Sequence, residues 1–175
     1  MNVDVKCQIL YDHPPLMKLT TKTEYALICL KYLCDHPGVK PVSVSEIAES
    51  EHLPKDYIEQ IFVKLRRAGI IKSIKGIRGG FILARKPPQI TLLQIIEAVE
   101  GKTFEIFCTP RLRERIVCEH FSSCSVRPVW RKLKQLIDDF CGGLTLENLL
   151  EEESALEACF ALSSFSECAA ESVRS

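Results

Sequence analysis

No apolar run in this chain approaches the roughly 20 residues that a bilayer-spanning helix needs, and the first sixteen residues interrupt any secretory core with Asp4, Lys6, Asp12, His13 and two prolines. The expectation is a cytoplasmic protein with no membrane association. Histidine is scarce. His13, His36, His52 and His120 fall in a tail, a turn, an interhelical junction and a loop, and no pattern pairs a base with a nucleophile, so enzymatic activity is not expected. The CxxC pairs of common zinc ribbons are missing, internal repeats are missing, and no Lys-Ser/Thr follows the glycine-rich stretch Lys75–Gly80, which excludes a P-loop. Net charge is missing too, with 23 Lys+Arg against 23 Asp+Glu. That balance conceals an asymmetry: residues 17–90 carry 13 Lys/Arg against 7 Asp/Glu, and residues 151–175 carry 1 against 6. A basic front half with an acidic tail fits a domain that binds a polyanion.

Cysteine is plentiful. Nine occur, an odd number at irregular spacing, which favours thiol or metal chemistry in a reducing compartment over a disulfide scaffold. Cys108, Cys118 and Cys124 fall within seventeen residues that contain Pro and adjacent serines but no sustained apolar periodicity. Three soft thiolates on a loop suit an iron-sulfur cluster or zinc, and both normally need a fourth donor that the loop does not obviously supply. Cys29 and Cys34 lie in a helical pattern and read as small core or near-core hydrophobes, while Cys7, Cys141, Cys159 and Cys168 are scattered singly and receive no role.

Taken in order, residues 1–16 show no periodicity and read as an N-terminal extension, with Met17 an alternative native start and a disordered arm the other reading. A helix follows from Thr20 or Thr21 as N-cap through Leu33, with Ala26, Cys29, Leu30 and Leu33 at three-four spacing. Ser43-Val-Ser-Glu46 is a capping box for a short helix. Pro54 opens a third helix through Ala68, closed by Gly69, with Ile58, Ile61, Phe62 and Leu65 inward and Lys55, Asp56, Glu59, Gln60 and Arg66 outward. Ile70–Ile74 and Gly80–Ala84 are short strands around a tip that carries Lys75 and Arg78. Helix, helix-turn-helix and basic hairpin in that order predict a winged helix, in which Glu59 and Gln60 are placed to read base edges and Lys75 and Arg78 to reach phosphate or a narrow minor groove. Thr91 caps a helix over Leu92–Glu100, Pro128 starts a longer one through Phe140 that Gly142-Gly143 ends, and Thr145 caps a short one over Leu146–Glu153. The broad face formed by Val129, Trp130, Leu133, Leu136, Ile137 and Phe140 is read as a dimer seam, with packing against residues 92–100 the alternative. From Ser154 the acidic tail reads as loosely structured. The expected class is therefore mainly α, divided into residues 1–16, a winged helix-turn-helix domain over 17–86, a unit of helix, cysteine loop and dimerisation helix over 87–153, and the tail over 154–175.

Met17-Lys-Leu-Thr20, Thr23-Glu-Tyr-Ala-Leu27, Tyr57-Ile-Glu-Gln-Ile-Phe62, Leu65-Arg-Arg-Ala-Gly-Ile70 and Ser73-Ile-Lys-Gly-Ile-Arg-Gly-Gly-Phe81 together resemble the Rrf-two family of bacterial winged-helix transcription regulators. The family includes the iron-sulfur cluster regulator and the nitric-oxide-sensitive repressor, and the resemblance spans Met17 to Leu150. It implies a homodimer on a palindromic double-stranded DNA operator, a repressor or activator in which three cysteines per chain hold a 2Fe-2S or 4Fe-4S cluster, the former favoured, with redox state, nitric oxide or iron-sulfur status as the signal. The interval from Cys118 to Cys124 matches the family's usual spacing, Trp130 follows as it often does there, and the interval from Cys108 is longer. Where one branch has a ligating His three residues after the last cysteine, this chain has Arg127, which cannot ligate as a cation. Another branch takes an acidic residue from the partner's first helix, and Glu24 matches that position, with His120 the local alternative. By the same resemblance Glu59 and Gln60 read bases, Lys22 and Tyr57 touch phosphate, and Lys75 and Arg78 serve the wing. Two other functions compete: a winged-helix regulator without a cluster, controlled by a protein partner or metabolite, and a zinc-stabilised interaction module using Cys108, Cys118, Cys124 and His120.

Overall fold

The computed structural model describes residues 20–36, 40–101 and 124–162. The N-terminal extension, Met17, Cys108, Cys118, His120 and the tail from residue 163 onward lie outside the described residues.

Helix α1 (Thr21–Asp35) opens on Thr20, whose hydroxyl accepts from the Lys22 amide at 3.2 Å and so satisfies one of the helix's orphan donors. Its buried face is Ala26, Cys29, Leu30 and Leu33, the stripe that the spacing predicts. Helix α2 (Val44–Ser50) is capped by Ser43 Oγ accepting from the Glu46 amide at 3.1 Å. His52 then takes a left-handed conformation (φ 54°) and turns the chain into α3 (Lys55–Arg67). A backbone shape uncommon outside glycine is thus the structural use of that histidine. Pro54 stands at the α3 N-cap, and the helix buries Ile58, Ile61, Phe62 and Leu65.

Gly69 (φ 68°) ends α3 and starts the hairpin β1 (Ile71–Ile74) and β2 (Gly80–Leu83), paired antiparallel from Ile71↔Leu83 to Ile74↔Gly80. A third backbone segment, invisible to the strand pattern, joins it: the Val42 amide donates to the Phe81 carbonyl at 3.0 Å and the Phe81 amide to the Val42 carbonyl at 2.8 Å. The Phe81 ring meets Phe62 edge to face at 4.8 Å, which fastens the base of the hairpin to α3.

A single 3-10 turn (Pro87–Gln89) leads to α4 (Leu92–Glu100), where Thr91 and Gln94 form a full reciprocal capping box and Gly101 (φ 95°) closes the helix. α4 packs against α1 and α3 and adds Ile95 and Val99 to one shared core with Leu30, Ile47, Ile58 and Phe62. Helix α5 (Val126–Gly143) begins two residues before Pro128, which sits in its first turn, and includes the two glycines expected to end it.

The helix expected over Leu146–Glu153 does not form. The Leu146 amide donates to the Ile90 carbonyl at 2.7 Å, the Leu92 amide to the Leu144 carbonyl at 2.8 Å, and Asn148 Oδ1 accepts from both the amide and the hydroxyl of Thr145. Thr145 still caps a turn, its hydroxyl accepting from the Asn148 amide at 3.4 Å and its carbonyl from the Leu149 amide at 3.3 Å, but the segment continues only as a 3-10 turn (Asn148–Leu150). Helix α6 (Glu153–Leu162) follows where the sequence reads as loose, and Phe160 lies 5.9 Å from Phe140 of α5. Among the described residues no helix is long and apolar enough to cross a membrane.

Candidate nucleic-acid interface

The second helix of the helix-turn-helix presents Lys55, Asp56, Glu59, Gln60, Arg66 and Arg67 to solvent while its other face fills the core. Amphipathicity of this kind leaves the polar face available to a groove, and Glu59 and Gln60, two of its acceptor-bearing side chains, lie one turn in from the N-terminus. Tyr57, by contrast, is half-buried, its ring held edge to face by Tyr25 at 5.5 Å. That contact couples the start of α3 to α1, so Tyr57 has a packing duty.

The hairpin extends as a wing beside α3. Lys72, Lys75 and Arg78 are exposed, and the Gly79 amide donates to the Gly76 carbonyl at 2.9 Å, closing a turn with Ile77 and Arg78 at its apex. Gly80 is required by close approach, since a Cβ there would stand 2.4 Å from the Val42 carbonyl oxygen. α3 and the wing together bring six cations to the surface, Lys55, Arg66, Arg67, Lys72, Lys75 and Arg78, against Asp56 and Glu59. This electrostatic excess suits phosphate, and the acidic pair suits a base edge with a donor.

Lys22 and Glu24 lie in the first turns of α1, the former half-buried and the latter exposed. What holds this end of α1 escapes sequence reasoning. Glu100, the last residue of α4, accepts at one oxygen from the Thr20 amide (3.1 Å), the Thr23 hydroxyl (3.0 Å) and, more closely still, the Thr20 hydroxyl. Burial alone would raise the Glu100 carboxyl, but these bonds and the nearby Lys22 charge outweigh it and hold the group below the ordinary value of 4.5. Lys64 of α3 donates to the Val99 carbonyl, one residue earlier, so the C-terminal end of α4 is tied to both α1 and α3. Thr20 was visible as a capping residue; the acceptor that it shares with Thr23, 77 to 80 positions away, leaves no trace in a single sequence.

Of the cysteines, Cys29 and Cys141 are buried and Cys34 is half-buried. Burial, helped by the charge of Glu51, pushes the Cys29 thiol up to about 12, and burial with Asp35 pushes Cys34 up to about 11. Burial and Asp138 likewise raise Cys141. All three are neutral thiols at physiological pH and poor ligands, since a metal takes the thiolate. Cys124, also free of any disulfide and half-buried like Cys34, lies just ahead of α5. Among the described residues no group of three His, Cys, Asp or Glu is gathered for a metal ion. Cys124 and Glu24 are therefore the described members of the expected ligand set, and Arg127 sits in the first turn of α5.

Helix α5 leaves most of its apolar face uncovered. Cys141 is buried, and Ile137 and Phe140 are half-buried, near the end that packs on α4, but Val126, Val129, Trp130, Leu133 and Leu136 are exposed, Val129 at 64% and Leu136 at 52%. Their spacing at positions 126, 129, 130, 133 and 136 continues one stripe.

Comparison with known proteins agrees with this arrangement. A family model described as Rrf2, iron-dependent transcriptional regulator, matches residues 19–152. The HTH-type transcriptional regulator IscR of Xenorhabdus nematophila is 30% identical over 141 residues, covering 81% of this chain and 84% of that protein. Among solved structures, CymR, the global cysteine regulator of B. subtilis, superimposes with a TM-score of 0.62 at 30% identity, covering 77% of this chain and 97% of CymR. T. potens IscR does so with a TM-score of 0.60 at 31% identity, covering 85% and 93%. The winged helix read from the residues, the family match across most of the chain and these relatives lead to one conclusion: the chain belongs to the Rrf2 family of DNA-binding transcriptional regulators.

Proposed function

We propose that the protein is a cytoplasmic, homodimeric regulator, not an enzyme, whose operator binding is set by an iron-sulfur cluster held on Cys108, Cys118 and Cys124. Glu24 of the partner subunit supplies the fourth donor. The observation that carries this reading is the placement of the cysteine-bearing segment. It joins α4, whose end is tied to the reading elements, to α5, whose apolar stripe is suited to a second copy of the chain. The iron dependence of the matching family supports the choice of metal, and the raised thiols of buried Cys29 and Cys141 and half-buried Cys34 make them poor competing ligands. The described donors fit such a group: Cys124 is a free thiol at the edge of α5 and Glu24 is an exposed carboxylate. A carboxylate is a weak donor to a cluster, so this ligand set makes a labile site suited to sensing nitric oxide or oxygen. The 2Fe-2S form is the favoured one.

At the DNA, Glu59 and Gln60 read base edges in the major groove, Lys22 and Tyr57 contact phosphate, and Lys75 and Arg78 hold the backbone at the wing, on a palindromic operator that mirrors the dimer. Anaerobic purification tests the cluster. A brown protein with visible thiolate-to-iron absorption, lost in Cys118→Ser and made labile in Glu24→Ala, is the expected result, together with a change in operator affinity on removing the cluster. A colourless protein that retains stoichiometric zinc overturns it. The similarity to CymR, a cysteine regulator, favours one second reading, in which a protein partner or a metabolite replaces the cluster as signal. It predicts operator binding indifferent to Cys118→Ser.

A further inference from the structure

Ile77 is the most exposed large apolar side chain among the described residues, at 108% of its reference surface. Lone aliphatics on a surface usually need no explanation, but this one is specifically held out. It occupies the apex of the closed turn from Gly76 to Gly79, between the exposed cations Lys75 and Arg78. Gly76 (φ 133°) turns the chain there, and a Cβ on Gly79 would stand 2.5 Å from the Ile74 carbonyl oxygen, so the tip's shape is fixed by its glycines and not by Ile77. The hairpin beneath is rigidly seated through Val42, Phe81 and Phe62. Neither folding nor turn chemistry asks for isoleucine at such an apex, where polar residues and proline serve better.

We infer that Ile77 is an apolar wedge that the wing inserts into the minor groove of the operator, with Lys75 and Arg78 on the flanking phosphates, selecting deformable base steps rather than a hydrogen-bonding pattern. The minor groove offers a degenerate donor and acceptor code, so specificity there comes from shape and deformability, and apolar side chains placed against base steps exploit the flexible pyrimidine–purine steps. The inference rests on the DNA-binding role of the wing and adds to it a specificity determinant that the cations do not provide.

The test starts from duplexes selected by the native protein from a randomised library, with affinity then followed by fluorescence anisotropy across a salt series. Because an apolar contact releases no counterions, Ile77→Ala is expected to weaken binding at least about tenfold with an unchanged salt slope. It should also erase the preference for pyrimidine–purine steps beneath the wing and the fluorescence rise of 2-aminopurine placed there. Ile77→Val restores most of the preference, whereas Ile77→Lys recovers affinity at low salt, with a steeper slope and no preference. Binding within twofold of native for Ile77→Ala with step preference intact overturns the wedge, as does a loss accompanied by a flattened salt slope, which assigns the tip to phosphate alone. Failure of the native protein to select any duplex overturns the DNA-binding role beneath it, and so is distinct from either result.

Discussion

Replacing Glu100 tests the least visible joint in the molecule. One carboxylate oxygen receives the Thr20 amide, the Thr20 hydroxyl and the Thr23 hydroxyl, and Thr23 is almost wholly buried. Hydrogen bonds to a charged acceptor are worth about 1.5–3 kcal/mol each in favourable settings, and a buried hydroxyl left without a partner costs about 1–3 kcal/mol. These terms share one acceptor and a partly solvated site, so they do not add. For Glu100→Ala we expect a loss of about 2–3 kcal/mol, and for Glu100→Gln, which keeps an acceptor but not the charge, about 1 kcal/mol. For a chain of this size the former lowers the melting temperature by about 5–10 °C.

The charge makes the effect depend on pH in a stated direction. A carboxyl whose folded value lies below its unfolded one stabilises the fold above the unfolded value, and that contribution disappears as pH falls through the folded one. Glu100 is held below its ordinary 4.5, so the stability gap between native protein and Glu100→Gln is full at neutral pH and closes on acidification through and below pH 4.5. Urea denaturation of the two proteins in parallel from pH 7 downward measures it, since urea leaves the charges unscreened. A gap that stays constant into acid, or a Glu100→Ala variant that melts within a degree of native, would refute the latch.

Gly80→Ala puts a Cβ 2.4 Å from the Val42 carbonyl oxygen, a backbone atom that cannot step aside. It should cost about 1–3 kcal/mol in urea denaturation and detach the wing from Val42. Glu59→Ala should broaden the sequences recovered in operator selection while nonspecific duplex binding is largely kept, and an unchanged operator preference would show that Glu59 does not read bases. Leu133→Glu, on the exposed stripe of α5, is expected to shift the protein to a monomer in analytical ultracentrifugation with its far-ultraviolet helix signal retained. Cys29 and Cys34, pushed up to about 12 and 11, should resist iodoacetamide at pH 8 in the native state and react once urea unfolds the chain.

Elements that rest on local rules were legible in the sequence to within a residue or two. The apolar stripe of α1, the Ser43 and Thr91 caps, Gly69 and the two short strands all follow from spacing, capping and turn chemistry acting within about one helical turn. Long-range backbone partners were not legible. Val42 pairs with Phe81, and the Leu146 amide is taken by the Ile90 carbonyl; both partners lie far away in the sequence. At the candidate interface, the surface positions of Glu59, Gln60, Lys75 and Arg78 were legible because a helix face and a hairpin tip declare themselves by pattern. Glu100 was missed because its partners are fixed only once α1 and α4 are side by side. Cys29 and Cys34 were separated from the cysteine-rich segment by periodicity alone, and their raised thiols give that separation a chemical basis.

These connections bear on how a signal from the cysteines could reach DNA. The segment that carries them starts directly after Gly101 and returns at Cys124, so one of its ends is the end of α4 and the other the start of α5. Glu100 and the Val99 carbonyl, the last polar groups of α4, are held by α1 and by Lys64 of α3. Any change in the segment that pulls on α4 therefore acts on the helix bearing Lys22 and Glu24 and on the helix bearing Glu59 and Gln60, while a change at its other end acts on α5 and its exposed apolar stripe. In the proposed dimer, coupling through α4 alters each reading head and coupling through α5 alters their spacing. The two separate experimentally: Glu100→Ala weakens control of a single half-site, whereas a change at Leu133 affects only operators with two.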